Sequence, residues 1–175
     1  MKPIALLLVV LFAVTRHASG QTLPEGSKLL TQHGDWRVMC APSPSGVKQE
    51  ICAVVQTVIA AEDDKTMLSV SIEKFADGKL LLRVVAPEGV LLPPGLGLKI
   101  DSEDIGRAPY VRCHASGCYA QIVVEQTLAE KFKRGKTAVF SIFRTEQAGL
   151  GFPISLAGFN EALKKLETIP IALQR

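Results

Sequence analysis

The chain has 175 residues, twenty of them basic and seventeen acidic, with the two signs interspersed. Lys2 and Arg16 have no acidic counterpart in the first twenty residues, so the remainder carries eighteen basic against seventeen acidic residues. That near-neutral balance excludes a nucleic-acid or polyanion binder by charge, and the 155 residues left make one domain able to bury roughly two thirds of its extended surface.

Residues 1–20 read as a secretory signal peptide. Lys2 precedes an unbroken apolar run over 4–14, too short to span a bilayer. Ala18-Ser19-Gly20 places small residues at the −3 and −1 positions of a signal-peptidase site, so the mature chain is expected to start at Gln21. No cysteine lies near the cut and no twin-Arg pair precedes it, which points to general export without a lipid anchor. Beyond the signal no run is long and apolar enough for a transmembrane segment. The expected location is the periplasm, with association to the outer membrane or surface left open.

Residues 21–33 are polar and read as a flexible N-terminal arm. His33-Gly34-Asp35 is a turn. Residues 36–40 alternate, with Trp36, Val38 and Cys40 on one face of a first strand. Pro42, Ser43, Pro44, Ser45 and Gly46 make 41–48 a loop. Residues 51–60 are β-branched and nearly all apolar, a buried strand, and 62–65 turn the chain. In 67–75, Leu68, Val70 and Ile72 alternate with Ser69, Ser71 and Glu73, which predicts a strand with one wet face. Asp77-Gly78 signals a hairpin into a return strand over 79–86. In 87–101, Pro93 and Pro94 remove donors and fix φ, so the stretch reads as a turn, a short segment 90–92, a Pro-Pro-Gly corner and a strand 96–100. Residues 101–108 read as a polar loop.

Two β-type runs, 110–112 and 119–124, then flank the link 114–117. Ser116-Gly117 supplies the reversal, and Cys113 and Cys118 close it from either side. Cross-strand Cβ atoms in such a hairpin lie near the separation a disulfide needs. All four cysteines follow the signal, and in an oxidising compartment they read as two disulfides. Of three possible pairings, Cys40–Cys52 with Cys113–Cys118 is favoured because each is local. Loop entropy makes the first worth about 3 kcal/mol and the second roughly 2.

Residues 127–135 read as a short helix, with Thr127 and Glu130 at capping-box spacing, Leu128 and Phe132 on one face and Gly135 as the stop. A strand over 136–145, a turn and a last strand over 152–157 follow. Gly158-Phe159-Asn160 introduces a helix over 161–167, with Ala162, Leu163 and Leu166 inward and Pro170 beyond its end. Roughly nine strands and two helices without βαβ alternation predict an all-β antiparallel sandwich over 34–175, with α+β as the alternative.

Trp36-x-Val38-x-Cys40, Cys52, Pro87-x-Gly89-Val90-x-Leu92, Gly95-x-x-Leu98-x-Ile100-Asp101, Tyr110-x-x-Cys113, Gly117-Cys118 and Leu156-Ala157-Gly158-Phe159 occur in this order. The set resembles the invasion-associated locus B family of alphaproteobacterial envelope proteins. The resemblance covers about 34–166. It implies an exported envelope protein, linked in some pathogens to host-cell invasion, and it carries no catalytic residues to transfer.

The expected role is a non-enzymatic module that binds another envelope component, without cofactor or metal. Val90, Leu91, Leu92, Pro93, Pro94, Tyr110 and His114 are the candidate partner surface. The alternative is an envelope hydrolase using Asp101 or Glu103 with His114. Three other constellations are weaker: Cys113, His114 and Cys118 as metal ligands with His33, Ser116 with His33 as a nucleophile pair, and Asp101, Glu103 and Asp104 as a calcium loop. Lys131, Lys133, Arg134 and Lys136 form a basic cluster that reads as a solvated helix end.

Overall fold

Strict alternation of apolar and polar side chains builds two antiparallel sheets whose apolar faces share one core. The structure, a computed structural model, describes residues 25–43, 50–60, 63–75, 77–146 and 149–170. The expected signal peptide, its cut and the first four residues of the arm lie outside the described residues. In chain order the elements are β1 (Lys28–His33), β2 (Trp36–Pro42), β3 (Glu50–Ala60), β4 (Asp63–Lys74), β5 (Leu80–Ala86), β6 (Leu96–Ile100), β7 (Glu103–Ala108), β8 (Tyr110–His114), β9 (Gly117–Val124), α1 (Gln126–Arg134), β10 (Thr137–Phe143), β11 (Gly149–Ser155) and α2 (Phe159–Thr168). The larger sheet runs β1-β2-β3-β4-β5-β9-β8 and the smaller β11-β10-β6-β7.

Period two decides which side chains meet. Trp36, Val38, Val54, Leu68, Val70, Ile72, Leu82 and Val84 face inward from the larger sheet. Leu96, Leu98, Ile100, Phe140, Ile142, Phe152 and Ile154 meet them from the smaller one. The helices complete the core: α1 contributes Phe132, and α2 contributes Phe159, Ala162, Leu163 and Leu166. The all-β sandwich expected from the alternation is the fold observed.

Two strands were not legible. Lys28–His33 belongs to the stretch read as an arm, and Glu103–Ala108 to the one read as a polar loop; both are strands. Each lies at a sheet edge and buries almost nothing, none of β1 and only Ala108 of β7, so no apolar alternation marks them. β4 likewise begins at Asp63, inside the stretch read as a turn.

The capping box in α1 does not form. Glu125 occupies the N-cap without a side-chain hydrogen bond, which leaves Thr127 inside the first turn. Gly135 does end the helix, but in extended backbone at φ −68°. What Gly135 supplies is room, since a Cβ there would lie 2.6 Å from Ile100 Cγ2 and 2.9 Å from Leu156 Cδ1.

One corner ties the sheets together. Trp36 is fully buried, its Nε1–H donates to the Ser155 carbonyl at 2.8 Å, and its ring meets Phe159 edge-on at 5.2 Å. Above it the His33-Gly34 turn lies directly on Ala157-Gly158, backbone against backbone.

The outer face of the larger sheet holds an ion pair. Arg83 Nη1 stands 2.5 Å from Glu73 Oε1, and the glutamate side chain keeps only 12% of its exposure. Desolvation raises the Glu73 pKa, while the charge and hydrogen bond of Arg83 pull it back only in part. The folded protein therefore holds this proton at a pH where the unfolded chain has lost it. The ionised carboxyl costs stability at neutral pH, and that cost vanishes as pH falls through the folded value. Arg83→Met removes the only influences that lower the pKa. It is expected to cost about 2 kcal/mol near neutrality, discounted for partial exposure. Urea unfolding at two pH values checks the sign: the loss should shrink as pH approaches the ordinary glutamate range.

Candidate functional site

The β8–β9 hairpin forms one edge of the larger sheet. Cys113 pairs with Cys118 in its register, and their sulfurs stand at bonding distance, with Cα atoms 4.0 Å apart. Cys40 and Cys52 stand opposite each other in β2 and β3 in the same way. Gly117 makes the reversal possible. Its φ is 126°, and a Cβ there would lie 2.2 Å from the Ala86 carbonyl oxygen.

Tyr119 organises the outer side of this hairpin. The Arg112 guanidinium sits over its ring at 5.2 Å, and His114 meets it edge-on at 5.8 Å. The Ser116 hydroxyl and the Tyr119 hydroxyl share a hydrogen bond of 2.9 Å. Val111 and Val123 are more than half exposed on the same two strands. Sequence reasoning named His114 but missed Arg112, Tyr119, Val111 and Val123 as surface. The signal was available for two of them: period two from buried Cys118 and Ala120 directs Tyr119 and Val123 outward.

The Pro corner is more enclosed than a partner surface requires. Val90, expected on that surface, belongs to the core. The Leu91 N–H donates to the Phe143 carbonyl at 2.7 Å, and the Gly95 N–H donates to the Leu92 carbonyl at 3.0 Å. Arg107 donates to the Pro94 carbonyl and lies over the Phe143 ring, which ties the corner to the smaller sheet. Leu91 and Pro94 are half-buried, leaving Leu92 and Pro93 exposed.

Tyr110 also departs from its expected place. It pairs with Ala120 on the inward face, its hydroxyl is buried, and no partner for it appears among the described residues. Burial pushes its phenol up to about 12. Tyr110→Phe deletes an orphaned hydroxyl and is expected to stabilise the protein by about 1 kcal/mol in urea unfolding. The sign with pH follows: the unfolded phenol ionises near 10.0 and the folded one near 12, so wild type loses stability across that interval. The phenylalanine variant should lack that loss.

The acidic loop is occupied by its own protein. Asp101 Oδ1 accepts from the Lys136 and Thr137 N–H groups at 3.0 Å each. Glu103 pairs with Lys131 at 2.5 Å, and Asp104 accepts from the Gly106 N–H at 3.0 Å. Asp101 and Glu103 line a cleft of about 680 Å³ beside α1, together with Glu130, Lys131 and Arg134. His114 does not line it; its ring is engaged with Tyr119 at the hairpin. The acid–base pairing of the hydrolase alternative is therefore not assembled in this cleft. Ser116 and His33 lie at opposite edges of the larger sheet. Cys113 and Cys118 are bonded to each other and present no thiolate. Among the described residues no group of three or more His, Cys, Asp or Glu is placed to hold a metal ion, and no helix is long and apolar enough to cross a membrane.

A seven-on-four antiparallel sandwich, plugged by two helices and carrying two local cysteine pairs, defines the class of protein. Residues 36–167 match the family described as Invasion associated locus B (IalB) protein, and the chain belongs to that family. It is 27% identical to Invasion protein B of Bartonella bacilliformis over 156 residues, which cover 85% of this chain and 80% of that one. It is 26% identical to an Invasion protein B homolog of Brucella abortus over 154 residues, 87% of each chain. The fold is similar to the crystal structure of invasion associated protein b from Bartonella henselae, with a TM-score of 0.66 and 20% identity, covering 80% of this chain and 96% of that one.

Proposed function

We propose that this protein is an exported, envelope-associated binding module without catalytic activity. It holds another envelope component against the cysteine hairpin. The observation that carries the reading is the packing of Arg112 and His114 on Tyr119 at a disulfide-closed edge, with Val111 and Val123 exposed on the same two strands. Aromatic and arginine side chains on a pre-ordered strand pair bind at low entropic cost. Leu92 and Pro93 extend the candidate surface onto the neighbouring corner. Export rests on the signal-type first twenty residues. The curated relatives are named invasion proteins, which supports a contribution to host-cell invasion.

Val123→Asp and Leu92→Asp alter exposed positions and should each change stability by less than about 1 kcal/mol. In chemical cross-linking on intact cells, Val123→Asp is expected to abolish the principal adduct of the wild-type protein. An adduct pattern unchanged in both folded variants would remove this surface from consideration.

A further inference from the structure

We infer that Cys113–Cys118 is a thiol-exchange site for small thiols of the glutathione class, with Cys113 as the sulfur that is attacked. The two disulfides occupy different surroundings. Cys40 is 3% exposed and flanked by Lys28 of β1, and its partner Cys52 is half-buried. Cys113 lies on the edge strand β8 and is exposed, whereas Cys118 is 5% exposed and faces the core. Exchange requires a thiolate to reach one sulfur from outside, and Cys113 is the most exposed of the four.

The hairpin's own charge does not oppose that approach. Tyr110 to Val124 contains no acidic residue, so no carboxylate of the hairpin repels an anionic thiolate.

The reaction balances without a further oxidant. A thiolate bonds to Cys113 Sγ as the Sγ–Sγ bond breaks, and Cys118 leaves as a thiolate that takes a proton from water. A second small thiol, as thiolate, then attacks the outer sulfur of the mixed disulfide. It releases Cys113 as a thiolate and departs as the oxidised small disulfide. The fold tolerates the opening. β9 stays paired with β5 from Leu80↔Val124 to Ala86↔Cys118, and Gly117 stays seated on Ala86. Only β8, whose register is already broken between Tyr110 and Arg112, is loosened.

The test exposes the oxidised, full-length protein to graded reduced glutathione, followed by acid quench, alkylation and peptide mass mapping. Cys113–Cys118 is expected to open at a concentration about tenfold or more below that which opens Cys40–Cys52, with unchanged far-UV circular dichroism. The glutathione adduct should sit on Cys113. Equal sensitivity of the two bonds, an adduct on Cys118, or opening only with loss of the dichroism signal would overturn the inference. A second measurement uses single variants and a chromogenic aromatic disulfide. The lone Cys113 thiol of Cys118→Ser should react about a hundredfold faster than the lone Cys118 thiol of Cys113→Ser; equal rates would count against the assignment.

Discussion

Gly158→Ala is expected to remove more than about 4 kcal/mol of stability, a large share of the roughly 5–15 kcal/mol that holds an ordinary domain folded. Two effects add. Gly158 has φ 83°, where a side chain costs roughly 1–2 kcal/mol. A Cβ there would also lie 2.2 Å from the His33 carbonyl oxygen and 2.5 Å from its carbon, both backbone atoms of a turn with no freedom to retreat. Gly89 separates the two effects, because it has φ 78° but nothing within 4 Å of an added Cβ. Gly89→Ala should therefore cost only about 1–2 kcal/mol. Urea unfolding of both variants checks the difference. Equal losses would mean that the contact between the two turns contributes nothing.

Trp36→Ala is expected to cost about 4–5 kcal/mol by the same measurement. The ring is completely buried, and its deletion leaves a cavity bounded by Phe159 and the inner strands. It also leaves the buried end of the Ser155 carbonyl without the donor that now lies at 2.8 Å. Trp36→Phe keeps an aromatic ring and loses the donor, so it should cost about 1–3 kcal/mol. A double-mutant cycle with Phe159→Leu should return a coupling near 1 kcal/mol, the value expected of an edge-on aromatic pair.

Both predictions concern the same corner, and its residues are among those that carry the family resemblance. Trp36 and the Leu156-Ala157-Gly158-Phe159 segment meet in three dimensions although more than a hundred residues separate them. Their role is to hold β2 of one sheet against the end of β11 in the other. The corner is therefore a structural tie between the sheets. The binding surface proposed here lies elsewhere, on the hairpin at the other edge of the larger sheet from β1.

The interior strands, both helices and the local pairing of the cysteines were legible because each leaves a periodic or local trace. Leu68, Val70 and Ile72 alternate because one face of β4 is buried; Ala162, Leu163 and Leu166 recur at helical spacing because one side of α2 is. β1 and β7 left no such trace, because these two edge strands bury almost no side chain and are held by backbone hydrogen bonds that any sequence can make. The surface was harder still. Val90 reads like its exposed neighbour Leu92 until the strands around it close over one and not the other. Tyr110 reads as a surface aromatic until its pairing with Ala120 directs the hydroxyl inward. Composition and periodicity settle which residues must be buried somewhere, since the cost of exposing them is local. Which exposed residues stand together depends on contacts distant in the chain, and only the packed sheets decide that.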